Sequence, residues 1–345
     1  CNFADFVFCS SNQPSVKLKT INLSYSRNLK IMPDLSNFTL LVKLLLHGCK
    51  SLLKVPQSIG QLTNLFHLDL GECSHLKELT EPIGQLTKLD HLNLDRCVNL
   101  RRLPEAIIQL TTIGSLNLAY CSKLTRLPEQ LGDMKCLKML DASYTSIEQL
   151  PDSTAQLKKL VKLNLYSCEK LRKLPEQIGN FESLKWFDAS YTSIEQLPDS
   201  TAQLKKLVEL KLLFCEKLRK LPEQIGNLES LKYLYASGSA IEHLPDTFAG
   251  LVNLDRLDLC GCAELEQLPE QFGKMQLQKL DLRCCRKVKN ITSLAKLYQH
   301  QEGMDTINLP DMMKDKKVLK DLSLTCDVSL CFWLPMILGF SSLEN

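Results

Sequence analysis

The side chains in this sequence with the most chemical potential are its 15 cysteines and six histidines. His67 and His91 stand at matching places in consecutive stretches, with His47, Asp69 and Asp95 near the same spacing. Imidazole and carboxylate are zinc-ligand types. Cys260-x-Cys262 and Cys284-Cys285 invite a similar reading. Catalysis by Ser/His/Asp or Cys/His would need a pocket on which such groups converge. No stretch carries a unique set, so neither an enzyme nor a metal or cofactor site is expected. Sequons occur at Asn22, Asn37 and Asn290, and matter only in a secreted protein.

The framework that positions these residues is a repeat. Stretches starting at Leu41, Leu65, Leu89 and Ile113 read L-x-x-L-x-L-x-x-C-x-x-L-x-x-L-P-x-x-I-G-x-L-x-x with few departures. Further starts fall at Leu137, Leu160, Leu184, Leu207, Leu231, Leu254 and Leu277, with an earlier one at Leu18; the steps are 23 or 24 residues. This pattern resembles the leucine-rich repeat. The expected fold is an α/β solenoid. It is a horseshoe with a concave parallel β-sheet and a convex side of irregular or short helical turns.

Within each unit, the last two leucines of L-x-x-L-x-L alternate like a strand with one buried face. The Cys position forms a column: Cys49, Cys73, Cys97, Cys121, Cys168, Cys215, Cys262 and Cys285. There a small side chain with a weak donor can face the backbone carbonyls of a turn, and Cys packs as a small hydrophobe. Eight of the cysteines thus have a structural role, which favours packing over zinc and implies a reducing compartment. The Leu-Pro pair turns the chain, since proline's fixed φ suits a position needing no ladder donor. Thr80 replaces Pro in one unit and Ile108 replaces Gly in another. About five aliphatic side chains per unit, each contributing roughly 1.5–3 kcal/mol when buried, supply most of the stabilisation.

Residues 18–294 are expected to hold about 12 units, 1–17 an N-terminal flank or cap, and 295–345 degenerate repeats or a cap, with a weak strand near Ile307 and Leu309. The units at Leu137, Leu184 and Leu231 are one residue shorter and lose the Cys. Residues 137–183 and 184–230 are near-identical copies, as tandem duplication leaves. The chain opens on Cys1 rather than Met and is expected to be a piece of a longer protein. The longest apolar stretch, 328–340, is too short to span a bilayer. A net charge of +3 gives no electrostatic case for nucleic acid or a membrane surface.

Solenoids bind partners on their concave face. The exposed strand positions there are expected to include Tyr120, Tyr144, Tyr166, Trp186, Tyr191, Phe214, Tyr233 and Tyr235. Such aromatics are enriched at protein interfaces, although they could also simply shield one another. Between the strand leucines runs a polar ladder of Asp69, Asn93, Asn117, Asp141, Asn164, Asp188, Lys211, Asp258 and Asp281. Its stacked carboxylates repel unless paired. Asp141 and Asp188 are therefore candidates to meet a basic partner segment, with plain solvation as the alternative.

The Cys-containing unit with L-P-x-x-I-G resembles the repeats of plant intracellular nucleotide-binding leucine-rich-repeat immune receptors. Residues 18–56 sharpen the likeness, because L-S-Y-S, P-D-L-S and G-C-x-S-L-x-x-V-P recur in that order at the start of the repeat domain in the TIR-bearing class. The resemblance implies a cytoplasmic or nuclear domain that recognises a pathogen effector or host protein. It also implies that the domain folds back on the nucleotide-binding domain to hold the receptor inactive. No G-x-x-x-x-G-K-[ST] phosphate loop is present, and no TIR segment, so neither nucleotide binding nor NAD cleavage carries over. Two alternatives remain: a stand-alone cytosolic scaffold of the Ras-associated repeat type, which the short units resemble, and a receptor ectodomain. The ectodomain is disfavoured by the missing G-x-I-P phrase.

Overall fold

The computed structural model describes residues 17–288 and 306–308. Regular alternation produces the strands. In the strands up to residue 281 the middle side chain of each three-residue strand is buried and the outer two are mostly half-buried or exposed, Asp188 excepted. In the first compact unit, Cys1–Ser193, the strands are β1 (Thr20–Asn22), β2 (Lys43–Leu45), β3 (His67–Asp69), β4 (His91–Asn93), β5 (Ser115–Asn117), β6 (Met139–Asp141), β7 (Lys162–Asn164) and β8 (Trp186–Asp188). They pair in chain order, all parallel. The second unit, Ile194–Asn345, holds β9 (Glu209–Lys211), β10 (Tyr233–Tyr235), β11 (Arg256–Asp258), β12 (Lys279–Asp281) and β13 (Thr306–Asn308), again parallel and in order. The weak strand expected near Ile307 is therefore present as β13. Leu309 and most of both expected caps lie outside the described residues.

Parallel strands buried on one side need an apolar residue at each inward position, and most here are leucine. Leu44, Leu68, Leu163 and Leu210 provide it, and Leu46, Leu70, Leu165 and Leu212 follow two residues on; all have no exposed surface. After its turn each repeat returns through a 3-10 segment, such as Gln57–Gln61, Asp152–Gln156 or Glu270–Lys274. These are the short helical turns expected opposite the sheet. The residue before the longer segments is usually Pro, held extended: Pro56 has φ −68° and ψ 157°. Thr80 adopts the same conformation (φ −85°, ψ 146°), and Pro82 stands inside the helix that follows, so the segment Glu81–Gln85 still forms. Ile108 likewise sits within an intact segment, Glu105–Gln109.

One backbone feature recurs in every repeat and is not visible as periodicity. The third residue past the strand is left-handed: Tyr25, Gly48, Glu72, Arg96, Tyr120, Tyr144, Ser167 and Tyr191 in the first unit, and Phe214, Gly238, Gly261 and Cys284 in the second. An L-residue there costs roughly 1–2 kcal/mol. Two hydrogen bonds offset it. The Asn or Asp ending the strand accepts the N–H two residues on, as Asp141 Oδ1 does from Ser143 N at 3.0 Å. The left-handed residue itself donates to the next repeat, as Tyr144 N does to Tyr166 O at 2.8 Å.

Candidate recognition surface

Five of the eight aromatics expected on strands are placed elsewhere. Only Trp186, Tyr233 and Tyr235 lie in strands. Tyr120, Tyr144, Tyr191 and Phe214 occupy the left-handed position, immediately before the Cys column. Tyr166 stands one residue earlier in its own turn. The shift has a physical cause. The strands are only three residues long, so the rest of the exposed L-x-L-x-x-C segment belongs to the turn. The turn aims those side chains along the ends of the strands rather than over the sheet centre.

In the first unit this placement makes a continuous ring ladder. Tyr120 and Tyr144 are stacked, with centroids 4.1 Å apart and planes 10° from parallel. Tyr144 to Tyr166 and Tyr166 to Tyr191 are each 5.2 Å, tilted by 50° and 55°. The spacing follows from the strand separation of about 4.8 Å. The Arg96 guanidinium closes one end, 4.3 Å from the Tyr120 centroid. Sequence reasoning missed Arg96, although it holds the residue-before-Cys slot that the tyrosines share. Its guanidinium also lies 3.5 Å from Asp95. The phenol of Tyr144 raises that of Tyr120. Tyr120 and Tyr144 cover one another's faces, so mutual shielding lowers the exposure of part of the ladder. Tyr144 and Tyr191 are nevertheless each 37% exposed. The Lys162 ammonium lies 4.4 Å over the Trp186 ring.

In the second unit Tyr235 lies between two cations, Lys211 at 5.8 Å and Arg256 at 5.1 Å from its centroid. Tyr233 is half-buried in the same strand. Phe214 lies over Gly238, where a Cβ would collide with its ring.

The carboxylate ladder is internally satisfied. Asp69 Oδ1 accepts from Gly71 N at 2.9 Å and from Asn93 Nδ2 at 2.8 Å. Asp141 accepts from Ser143 Oγ at 2.6 Å and from Asn164 Nδ2 at 2.9 Å. Asn between Asp positions thus supplies donors, which relieves the stacked charge without a partner. Asp188 accepts from Ser190 N at 2.9 Å and is only 5% exposed. Asp188 is therefore largely covered, while Asp141 is half-buried beside its own turn.

The metal-type groups are also accounted for. His47 Nδ1 is 3.6 Å from Asp69 Oδ1, and Nε2 is 3.9 Å from Glu72 Oε1. His67 and His91 meet edge to face at 5.7 Å. Burial, and then the charges of His91 and Lys43, hold the His67 imidazole below its usual value against the pull of Asp69. Burial raises Asp95. Among the described residues no three His, Cys, Asp or Glu side chains converge into a metal-binding set.

The Cys column is buried throughout. Each thiol reaches a main-chain carbonyl, most often in the repeat before. Cys49 donates to Leu23 O at 3.1 Å, Cys97 to Leu70 O at 3.2 Å, Cys262 to Ala236 O at 3.1 Å and Cys285 to Leu259 O at 3.1 Å. In the short repeats a hydroxyl takes the slot. Thr145 donates to Ala142 O at 2.7 Å, and Cys168 of the next repeat shares that acceptor at 3.1 Å. Cys262 and Cys285 point into the core, so neither Cys pair can chelate from one side.

This architecture is that of leucine-rich repeat proteins, and the comparisons agree. The leucine-rich repeat protein LIC12759 of Leptospira interrogans superposes with a TM-score of 0.51 at 25% identity, covering 79% of each chain. The leucine-rich repeat domain of the type III effector XopL gives 0.52 at 26% identity, covering 62% of this chain and 74% of that one. In sequence, a 46-residue stretch is 54% identical to the disease resistance protein RML1B of Arabidopsis thaliana, which is 13% of this chain and 4% of that protein. The chain matches no family model. Among the described residues no helix is long and apolar enough to cross a membrane.

Proposed function

We propose that this chain is the recognition region of a plant disease-resistance receptor of the TIR class. It binds a pathogen effector or a host protein, and it folds back on the receptor's nucleotide-binding domain to hold it inactive. The observation that carries the reading is the ladder Arg96–Tyr120–Tyr144–Tyr166–Tyr191. Its rings are packed before any partner arrives, so little side-chain freedom is lost on binding. Tyrosine also offers both apolar surface and a hydroxyl, the combination favoured at binding hot spots. The likeness to RML1B supports the plant-resistance setting. On this reading the chain catalyses nothing, holds no cofactor and works in the cytoplasm or nucleus. The reduced Cys column accords with that location.

The gene tests the receptor assignment. Sequence upstream of Cys1 is expected to encode a phosphate loop of the form G-x-x-x-x-G-K-[ST] within a nucleotide-binding domain. A start codon just upstream with no such domain would contradict the assignment and favour a stand-alone scaffold.

A further inference from the structure

Two cysteines in the second unit stand outside the Cys column. Cys260 is half-buried, two residues before Cys262, and Cys284 is exposed, one residue before Cys285. The β11–β12 register pairs Asp258 with Asp281, and Gly261 N donates to Arg283 O at 2.7 Å. Cys260 and Cys284 are thus on neighbouring repeats, one residue out of step. With chains about 4.8 Å apart and one residue of stagger, their Cα atoms are about 6 Å apart, inside the window a disulfide accepts.

Side chains on this same diagonal converge in the first unit. His47 and Glu72 hold the equivalent two positions, and their polar atoms are 3.9 Å apart. Tyr166 and Tyr191 hold them again, with rings at 5.2 Å. The diagonal therefore brings two side chains together across the strand ends. In the second unit both of those side chains are thiols. The column thiols Cys262 and Cys285 are fully buried, each on its own carbonyl, and do not compete.

We propose that Cys260 and Cys284 are a redox-responsive dithiol that closes into a disulfide between two adjacent repeats, with a peroxide as oxidant and a small thiol as reductant. Cys284, the exposed partner, meets the peroxide first. Its thiolate attacks one peroxide oxygen and the O–O bond breaks, giving a sulfenic acid and, after proton uptake, water. The Cys260 sulfur then attacks the Cys284 sulfur. The S–S bond forms, the S–O bond breaks and a second water leaves. Two thiols lose two electrons and one hydrogen peroxide gains them. Two glutathione thiols reverse the change and become glutathione disulfide. The inference does not depend on the receptor reading.

The test is hydrogen peroxide treatment of the purified chain, followed by intact mass and tandem mapping of tryptic fragments. The expected result is loss of two hydrogens, with a fragment containing Cys260 joined to one containing Cys284. Dithiothreitol should reverse the linkage, and Cys260→Ser and Cys284→Ser should each abolish it. Survival of the linkage in Cys284→Ser would assign the bond to Cys285 and overturn the proposal. Sulfinic acids or intermolecular dimers without the internal link in the unmutated chain would do the same. Tandem mapping of the unmutated chain decides the matter even if a variant folds poorly.

Discussion

Cys97 is sealed from water and has one carbonyl, that of Leu70, within reach at 3.2 Å. Removing the thiol leaves that oxygen with only the Cys73 N–H of its two donors, so Cys97→Ala is expected to cost about 1 kcal/mol in urea unfolding through the lost hydrogen bond. A variant with unchanged stability would show that the thiol is only filler. Burial also holds these thiols neutral. Cys73, Cys121 and Cys285 are pushed up to about 12, and Cys168 to about 11. An unfolded thiol ionises near pH 8.5, so the folded state keeps protons that the unfolded chain releases. The associated stability is whole below about pH 8.5 and is lost as pH rises towards the folded values, by up to about 1.4 kcal/mol per pH unit for each thiol. The urea midpoint should therefore fall between about pH 8 and about pH 10; a flat or rising midpoint would contradict the burial of the column thiols. The column and its donor role were legible in the sequence, because a small residue recurring at one register has few other uses. The acceptor was not legible, since the carbonyl belongs to a neighbouring repeat.

At the scale of the element, the glycines within the 3-10 segments let neighbouring repeats approach closely. Gly132 and Gly226 each precede a short repeat, and a Cβ on either would run into the carbonyl oxygen of Ser153 or Thr247. Gly132→Ala is therefore expected to destabilise the first unit by about 1–3 kcal/mol through overpacking. The same exchange is native at Ala155 and Ala202, in the short repeats themselves. A thermal melt that does not fall for Gly132→Ala would contradict this packing. Leu165 is fully buried under β7. Leu165→Asp should lower thermal stability and expose the flanking repeats to hydrogen exchange, because an unpaired carboxylate is costly there. Strands and 3-10 turns were readable from leucine spacing and Pro. The left-handed turn was not, because the residue before Cys looks like any other variable position. It becomes recognisable as the third residue after the strand, which ends on Asn or Asp in most repeats but on Leu45, Lys211 and Tyr235 in three. That misreading is why Tyr120, Tyr144, Tyr191 and Phe214 were expected on strands.

At the scale of the whole molecule, repetition gives a constant frame and variable residues before each Cys. In the first unit those residues, with Tyr166, build a tyrosine ladder capped by Arg96. The carboxylates between the strands bond to the frame, and in the proposed function the aromatics carry recognition. The most direct test of the proposed function is titration calorimetry of this chain against the nucleotide-binding domain that the proposed receptor would carry. It compares the native ladder with a Tyr120→Ala, Tyr144→Ala and Tyr191→Ala triple variant. A hot-spot loss of at least about 2 kcal/mol, roughly 30-fold in Kd, is expected with the fold intact by circular dichroism. A folded triple variant that binds with unchanged Kd would contradict the ladder as the docking surface.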